Sequence, residues 1–235
     1  MLIVLEGIDG CGKSTVAGLL ETALSPRHSV SLFRFPGYDR TAYGGMVREY
    51  LQGEYGEVVH PKLAFLPYAL DRFAVRADIE SAIQMDDIVI CDRFVPSNVA
   101  HQAAKVGGDE DRFKLGRFIE TAEYTLFGLP VPDLVFVFDI GVDAAMRRLA
   151  SRKPAWQGRD LHEENRQYLT SVRSVYVSYP FRCGMLRVLP VWDAMCPARG
   201  DSLGQLSDQD GSGEHRMFTP DEMCSSVLRI IQESM

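Results

Sequence analysis

Gly7-Ile8-Asp9-Gly10-Cys11-Gly12-Lys13-Ser14-Thr15 follows the apolar run Leu2-Ile3-Val4-Leu5 and precedes a stretch with helical periodicity. The Gly-x-x-x-x-Gly-Lys-Ser spacing lets consecutive backbone N–H groups face a phosphate chain at a helix N-terminus. It leaves Lys13 and the Ser14 hydroxyl for the terminal phosphates and Mg²⁺. Apolar residues recur at Val16, Leu19, Leu20, Ala23 and Leu24, the face of a helix packed on a sheet, and Ser25-Pro26 ends the run. With a strand before it and a helix after it, the stretch reads as a nucleoside triphosphate site. Switches, motors and kinases share such a loop, so it does not say what is done with the nucleotide.

Strand-like runs lie at 2–5, 30–35, 88–91, 134–138 and 186–191. They are continuous apolar runs, as expected of a parallel sheet covered on both faces. Helices are expected at 61–84, 111–127, 142–151 and 161–177, with a closing helix from Pro220. The result is an α/β protein with a five-stranded parallel sheet flanked by helices, whose ligands gather at the carboxyl ends of the strands. Residues 193–217, rich in Gly, Ser and Asp, read as a polar surface insertion.

One domain is expected over 235 residues that are 46% hydrophobic and 24% charged. A formal net charge of −7 argues against nonspecific nucleic-acid binding. With no charged leader before Leu2 and no apolar stretch of membrane-spanning length, a soluble cytoplasmic protein is expected. Five cysteines without paired spacing indicate neither a disulfide framework nor a zinc site, and Cys11 and Cys91 read as small packed residues.

Four further clusters carry chemistry. Phe35-Pro36-Gly37-Tyr38-Asp39-Arg40-Thr41 follows the second strand, where Arg40 suits a phosphate and a plain turn is the alternative. Tyr68 and Arg72 are four apart on one helix face, fitting either a planar base and its phosphate or a core tyrosine with a surface arginine. Asp92-Arg93-Phe94 closes the third strand, ahead of Ser97, Asn98 and His101. There Asp92 suits Mg²⁺ and Arg93 a second phosphate, with a strand-end ion pair as the alternative. Residues 147–160, with Arg147, Arg148, Arg152 and Arg159 around Pro154 and Gly158, fit a closing lid or a solvated basic loop.

In this order the pieces resemble the thymidylate kinase family over most of 1–180. They are Glu6-Gly7-x-Asp9-Gly10-x-Gly12-Lys13-Ser14-Thr15, the Phe35-Pro36 loop, Asp71-Arg72, Asp92-Arg93-Phe94 with Ser97-Asn98, Pro130-Val131-Pro132-Asp133-Leu134 and the arginine-rich lid. The resemblance implies a P-loop nucleoside monophosphate kinase-like fold, a homodimer, and Mg²⁺-dependent transfer of the γ-phosphoryl of ATP to dTMP. By the family pattern Gly7, Asp9, Gly10, Cys11, Gly12, Lys13, Ser14, Thr15, Arg148 and Arg152 hold ATP, and Ser14 and Asp92 serve the metal. Asp9 touches the sugar 3′-hydroxyl, Tyr68 stacks on thymine, and Arg72 and Asn98 hydrogen-bond it. Arg93, with Phe35, Pro36, Tyr38, Arg40 and Ser97, holds the dTMP end, and His101 crowds the sugar 2′ side.

The sequence departs from that pattern in places. Gly10 stands where many relatives carry an arginine, which leaves Arg159, or Arg152, in the lid as the catalytic arginine. Gly37 replaces the arginine after Phe-Pro, and Phe94 replaces a commoner tyrosine. Two rivals remain. A nucleoside kinase on the same fold needs a carboxylate base after the first strand, and a nucleotide switch needs an Asn-Lys-x-Asp guanine motif that is missing here.

Overall fold

The computed structural model describes residues 1–56, 59–151, 165–191 and 219–234. Five strands, β1 (Leu2–Glu6), β2 (Val30–Arg34), β3 (Ile88–Asp92), β4 (Leu134–Ile140) and β5 (Met185–Val191), form one sheet in the order β2-β3-β1-β4-β5. Every neighbouring pair is parallel, with Leu5 opposite Asp92 and Arg34 opposite the same residue. Such a sheet must be covered by helices, and β1 and β3 are buried along their whole length. Helix α1 (Lys13–Leu24) lies on β1, β2 and β3 and packs against α9 (Pro220–Ser234); α8 (Arg166–Ser178) lies on β4. Because β2, β3 and β1 are adjacent, their carboxyl ends deliver the Phe35-Pro36 loop, the Asp92-Arg93 turn and the phosphate-binding loop to one place.

The expected helix over 61–84 is two helices, α3 (Pro61–Ala74) and α4 (Arg76–Met85), with a turn at Val75. Their partners differ: α3 packs on α2 (Ala42–Leu51) and α5 (Val95–Ala103), whereas α4 packs on β3, and one straight helix could not serve both. Helix α2 (Ala42–Leu51) was not legible, since Gly44-Gly45 breaks its pattern. Its signal was Thr41, whose hydroxyl caps the helix by accepting from Gly44 N at 2.8 Å, together with buried Val47, Tyr50 and Leu51. Helix α5 (Val95–Ala103) was also missed, because it buries Ser97, Asn98 and Gln102 along with its apolar residues and shows no amphipathic contrast.

The helix expected at 111–127 begins earlier, as α6 (Asp109–Glu120), and passes into a π-helical segment, Thr121–Leu126. Helix α7 (Val142–Ser151) is as expected, and α8 starts from Asn165, whose side chain accepts from Tyr168 N at 2.9 Å. Residues 152–164, with Arg152 and Arg159 of the expected lid, and the stretch 193–217 lie outside the described residues. Cys11 and Cys91 are buried free thiols. No helix among the described residues is long and apolar enough to cross a membrane.

Lys105, just beyond α5, ties α2 to this frame, donating to Tyr50 Oη at 2.7 Å and to Gln102 Oε1 at 2.9 Å. Burial lowers its ammonium from 10.5 to about 7. The unfolded lysine therefore keeps its proton across the window from about 7 to 10.5 in which the folded one has released it, so stability rises with pH there and the cost is fully present below pH 7. Lys105→Met removes this dependence. Its Tm relative to wild type should fall by about 5–10 °C between roughly pH 6 and 9, and a constant difference in thermal melts would contradict the burial.

Candidate active site

The phosphate-binding loop wraps from the end of β1 to the start of α1, where Gly12 takes φ 99°. Lys13 is buried and folds back over the loop, its Nζ donating to Gly7 O at 2.9 Å and Ile8 O at 3.0 Å. Ser14 and Thr15 stand exposed in the first turn of α1. Gly10 sits at φ +82°, and a Cβ there would lie 2.6 Å from Ala145 O of α7. The loop is thus roofed by α7, whose Arg148 Nη1 donates to Gly10 O at 3.4 Å. No longer side chain fits at this position without moving α7, which is a structural reason for glycine here.

Arg93 is the one non-glycine with positive φ, 69°, among the described residues. A left-handed arginine is costly, and neighbouring contacts must hold it there. Its Nη1 donates to Ser97 Oγ at 3.1 Å and to Gly7 O at 3.5 Å, while Nη2 pairs with Asp9. Beneath this turn is Glu6, fully buried. Its Oε1 accepts from Phe94 N at 2.8 Å and Ser97 N at 3.1 Å; Oε2 accepts from Ser97 Oγ at 2.5 Å and Tyr176 Oη at 2.9 Å. A carboxylate on β1 thereby caps the N-terminus of α5 from another element. Burial raises the Glu6 carboxyl, opposed by its bond to Ser97, the Arg93 charge and its bonds to Phe94 and Tyr176.

Asp71, also buried, fastens the Phe35-Pro36 loop to α3: its carboxylate accepts from Gly37 N at 2.7 Å and from the Thr41 hydroxyl that caps α2. Phe35 is buried with its ring 6.0 Å from that of Phe94, and the Phe35-Pro36 peptide is cis. Tyr38 lies under the Arg48 guanidinium at 5.9 Å. Exposed Arg40 turns back to donate to Arg34 O at 2.6 Å.

Along α3, Tyr68 meets the Tyr50 ring edge-on at 6.3 Å, and Arg72 is buried. Arg72 makes a bidentate pair with Glu123 of the π-helical segment, Nε to Oε2 at 2.6 Å and Nη2 to Oε1 at 2.8 Å. Burial alone would lower the guanidinium, but the charge and hydrogen bonds of Glu123 outweigh it and hold it raised. Asn98 Nδ2 joins the same carboxylate, at 2.7 Å from Glu123 Oε1 and 3.0 Å from Phe65 O. His101 Nδ1 lies 3.0 Å from Tyr168 Oη. Asp92 is buried at the end of β3, and among the described residues its carboxylate accepts no protein hydrogen bond.

The residues the sequence singles out thus fall into two groups on adjacent strand ends. Gly7 to Thr15, Arg148 and Asp92 surround the loop; Phe35 to Arg40, Tyr68, Arg72, Ser97, Asn98 and His101 form the neighbouring wall; Asp9 and Arg93 join the two. Sequence reasoning gave no role to Glu6, Asp71 or Glu123, the buried carboxylates that hold this wall together. A charged residue amid apolar neighbours, as Glu123 is beside Tyr124 and Leu126, was the available signal.

A parallel sheet with a lysine-bearing phosphate loop at its centre and a second, arginine-bearing wall beside it defines a P-loop phosphotransferase of the nucleoside monophosphate kinase type. The family model for thymidylate kinase matches residues 5–188. The chain is 31% identical to a thymidylate kinase of Mycobacterium tuberculosis (strain CDC 1551 / Oshkosh) over 181 residues, 75% of this chain and 84% of that one. With a thymidylate kinase of Coprothermobacter proteolyticus it shares 33% over 178 residues, 75% of this chain and 83% of the relative. The solved thymidylate kinase of Candida albicans superposes with a TM-score of 0.69 at 23% identity, over 99% of this chain and 91% of that one, a likeness of fold. The chain belongs to the thymidylate kinase family.

Gly10→Ala should destabilise the protein by about 1–3 kcal/mol, since it adds left-handed strain to a clash with α7. Gly18→Ala, at an open position in α1, should instead gain about 0.5–1 kcal/mol. Urea unfolding of both variants checks this, and equal effects would show that α7 does not roof the loop.

Proposed function

We propose that the protein transfers the γ-phosphoryl of ATP to dTMP, giving dTDP and ADP. The observation that carries this reading is the convergence of two cations from different elements, the start of α1 and the turn after β3, on one carbonyl: Lys13 Nζ and Arg93 Nη1 both donate to Gly7 O, at 2.9 and 3.5 Å. Lys13 belongs to the ATP phosphates and Arg93 to the acceptor phosphate, so their meeting point is where one phosphoryl group passes to another. In-line phosphoryl transfer through a loose transition state asks for positioning and positive charge more than for covalent chemistry.

In this reading the N–H groups of Gly7 to Thr15 cradle the ATP phosphates, with Arg148 beside them. Asp9 orients the sugar 3′-hydroxyl, and the Phe35-Pro36 loop, with Tyr38, Arg40 and Ser97 around it, flanks the dTMP phosphate held by Arg93. Tyr68 stacks on the base, Arg72 and Asn98 read its edge, and His101 bounds the 2′ side. The Ser14 hydroxyl and the Asp92 carboxylate would hold Mg²⁺, which neutralises charge on the phosphates when bound. That donor set fits an ion carried largely by the nucleotide, since the described residues contain no group of three or more acidic, His or Cys side chains able to cage a metal. The lid arginines Arg159 and Arg152 complete the proposal, with Arg159 meeting the transferring group. The enzyme works in the cytoplasm as a homodimer, without nucleic acid or membrane, which the habit of the family supports.

The nucleoside-kinase rival needs a carboxylate free to take a hydroxyl proton. Glu6 is the acid in the required place on the chain, and its oxygens already accept four protein hydrogen bonds. An acceptor that is already an anion needs no such base.

ADP release measured with ATP and a panel of acceptors tests the proposal. dTMP should be used and thymidine should not, and dUMP, lacking one methyl group, should lose about 10–200-fold in kcat/KM. Thymidine turned over as well as dTMP would contradict it. Lys13→Ala should lower kcat by at least about 10²–10³ while dTMP binding by calorimetry stays within about twofold, because Lys13 meets only the donor; near-wild-type turnover would remove the kinase reading.

A further inference from the structure

The Arg72–Glu123–Asn98 cluster carries more information than a list of base contacts. Glu123 is fully buried and reaches the site from the π-helical segment, where Phe127 N bonds to Ala122 O, five residues back, at 2.8 Å. The wider turn is what brings a side chain of this segment under α3 and α5. Both partners of Asn98 Nδ2, Phe65 O and Glu123 Oε1, can only accept. The amide nitrogen must therefore point away from the pocket, which leaves Oδ1 as the group Asn98 can offer, with only a long 3.5 Å contact from Gln102 Nε2. Arg72 is committed to Glu123 through Nε and Nη2, and Nη1 has no protein acceptor among the described residues.

We infer that Glu123 is a positioning residue that fixes the donor–acceptor order of the base pocket, so that it takes a base edge with a carbonyl beside an N–H and refuses one with an amino group beside a bare ring nitrogen. The inference rests on the proposal that Arg72 and Asn98 face the base. Arg72 Nη1 donates to O4 of thymine, and Asn98 Oδ1 accepts from N3–H. Cytosine reverses both: its N4 amino group meets a donor and its N3 lone pair meets an acceptor, which leaves two desolvated mismatches where thymine makes two bonds. Guanine presents the same carbonyl and N–H order as thymine, so the network selects against dCMP and dAMP in particular. An acceptor-only group at 123 is essential to this. A glutamine there, still accepting from Arg72, would turn its amide N–H₂ toward Asn98 and let the asparagine rotate, placing Nδ2 in the pocket.

The test is kcat and KM for dTMP, dCMP and ATP with wild type, Glu123→Gln and Glu123→Asp, each checked by thermal melting. Wild type should favour dTMP over dCMP by at least about 10⁴ in kcat/KM. Glu123→Gln should cut that ratio by at least about tenfold, through a raised KM for dTMP with the KM for ATP unchanged. Glu123→Asp, which can still only accept, should keep the ratio within about threefold of wild type. Equal losses for both monophosphates, or an unchanged ratio, would overturn the role of Glu123 while leaving the kinase reading intact. Wild type that uses no dTMP removes both. If Glu123→Gln fails to fold, wild type decides alone: dTMP methylated at N3 has lost the donor that Asn98 Oδ1 requires. It should be refused by about a hundredfold or more, and turnover within tenfold of dTMP would overturn the assigned order.

Discussion

The Glu6 carboxylate at the end of β1 is the constraint on which the site depends. A buried carboxylate is tolerated only when its oxygens are hydrogen-bonded, and the donors here come from the Arg93 turn, α5 and α8. Satisfying one charge thus fixes the Arg93 turn relative to the loop that follows β1. It also anchors Ser97, which in turn holds the Arg93 guanidinium. The left-handed arginine is held in place by this network, and no glycine is needed at the turn.

Asp71 and Glu123 repeat the device at a greater distance from the phosphates. Asp71 joins α3 to the Phe35-Pro36 loop and to the cap of α2, and Glu123 joins α3 to α5. Each acid holds together elements that meet at the wall beside the phosphate-binding loop. Removing one partner of a buried charged pair costs about 3–5 kcal/mol, because the other charge is left without compensation. That cost is the reverse of the benefit. A wall whose polar groups are already oriented has little left to order when a substrate arrives, so more of the binding free energy appears in the transition state.

What the sequence showed was the chemistry written in local spacing. The phosphate loop is legible because its function lies in consecutive backbone N–H groups between a strand and a helix, and the strands because a parallel sheet buries both faces. Arg93 and Asn98 were visible as residues near a strand end. Helix α5 was hidden by its buried polar face, α2 by paired glycines, and the break at Val75 by a continuous apolar run. Glu123 was out of reach for a further reason: its direction depends on a π-helical turn, and helical spacing at 3.6 residues points it elsewhere. The direction of Arg40 was equally out of reach, since its place in sequence beside Phe35-Pro36 does not reveal that its guanidinium donates to Arg34 O.

The central claim is that buried carboxylates assemble the acceptor wall before the substrate binds. A crystal structure of the dTMP complex tests it most directly. The account predicts thymine O4 on Arg72 Nη1 and N3 on Asn98 Oδ1, with the Glu6–Ser97 and Arg72–Glu123 bonds kept and the backbone of 92–98 within about 1 Å of its ligand-free position. A base bound away from Arg72 and Asn98, or an Arg93 turn rebuilt around the phosphate, would contradict it.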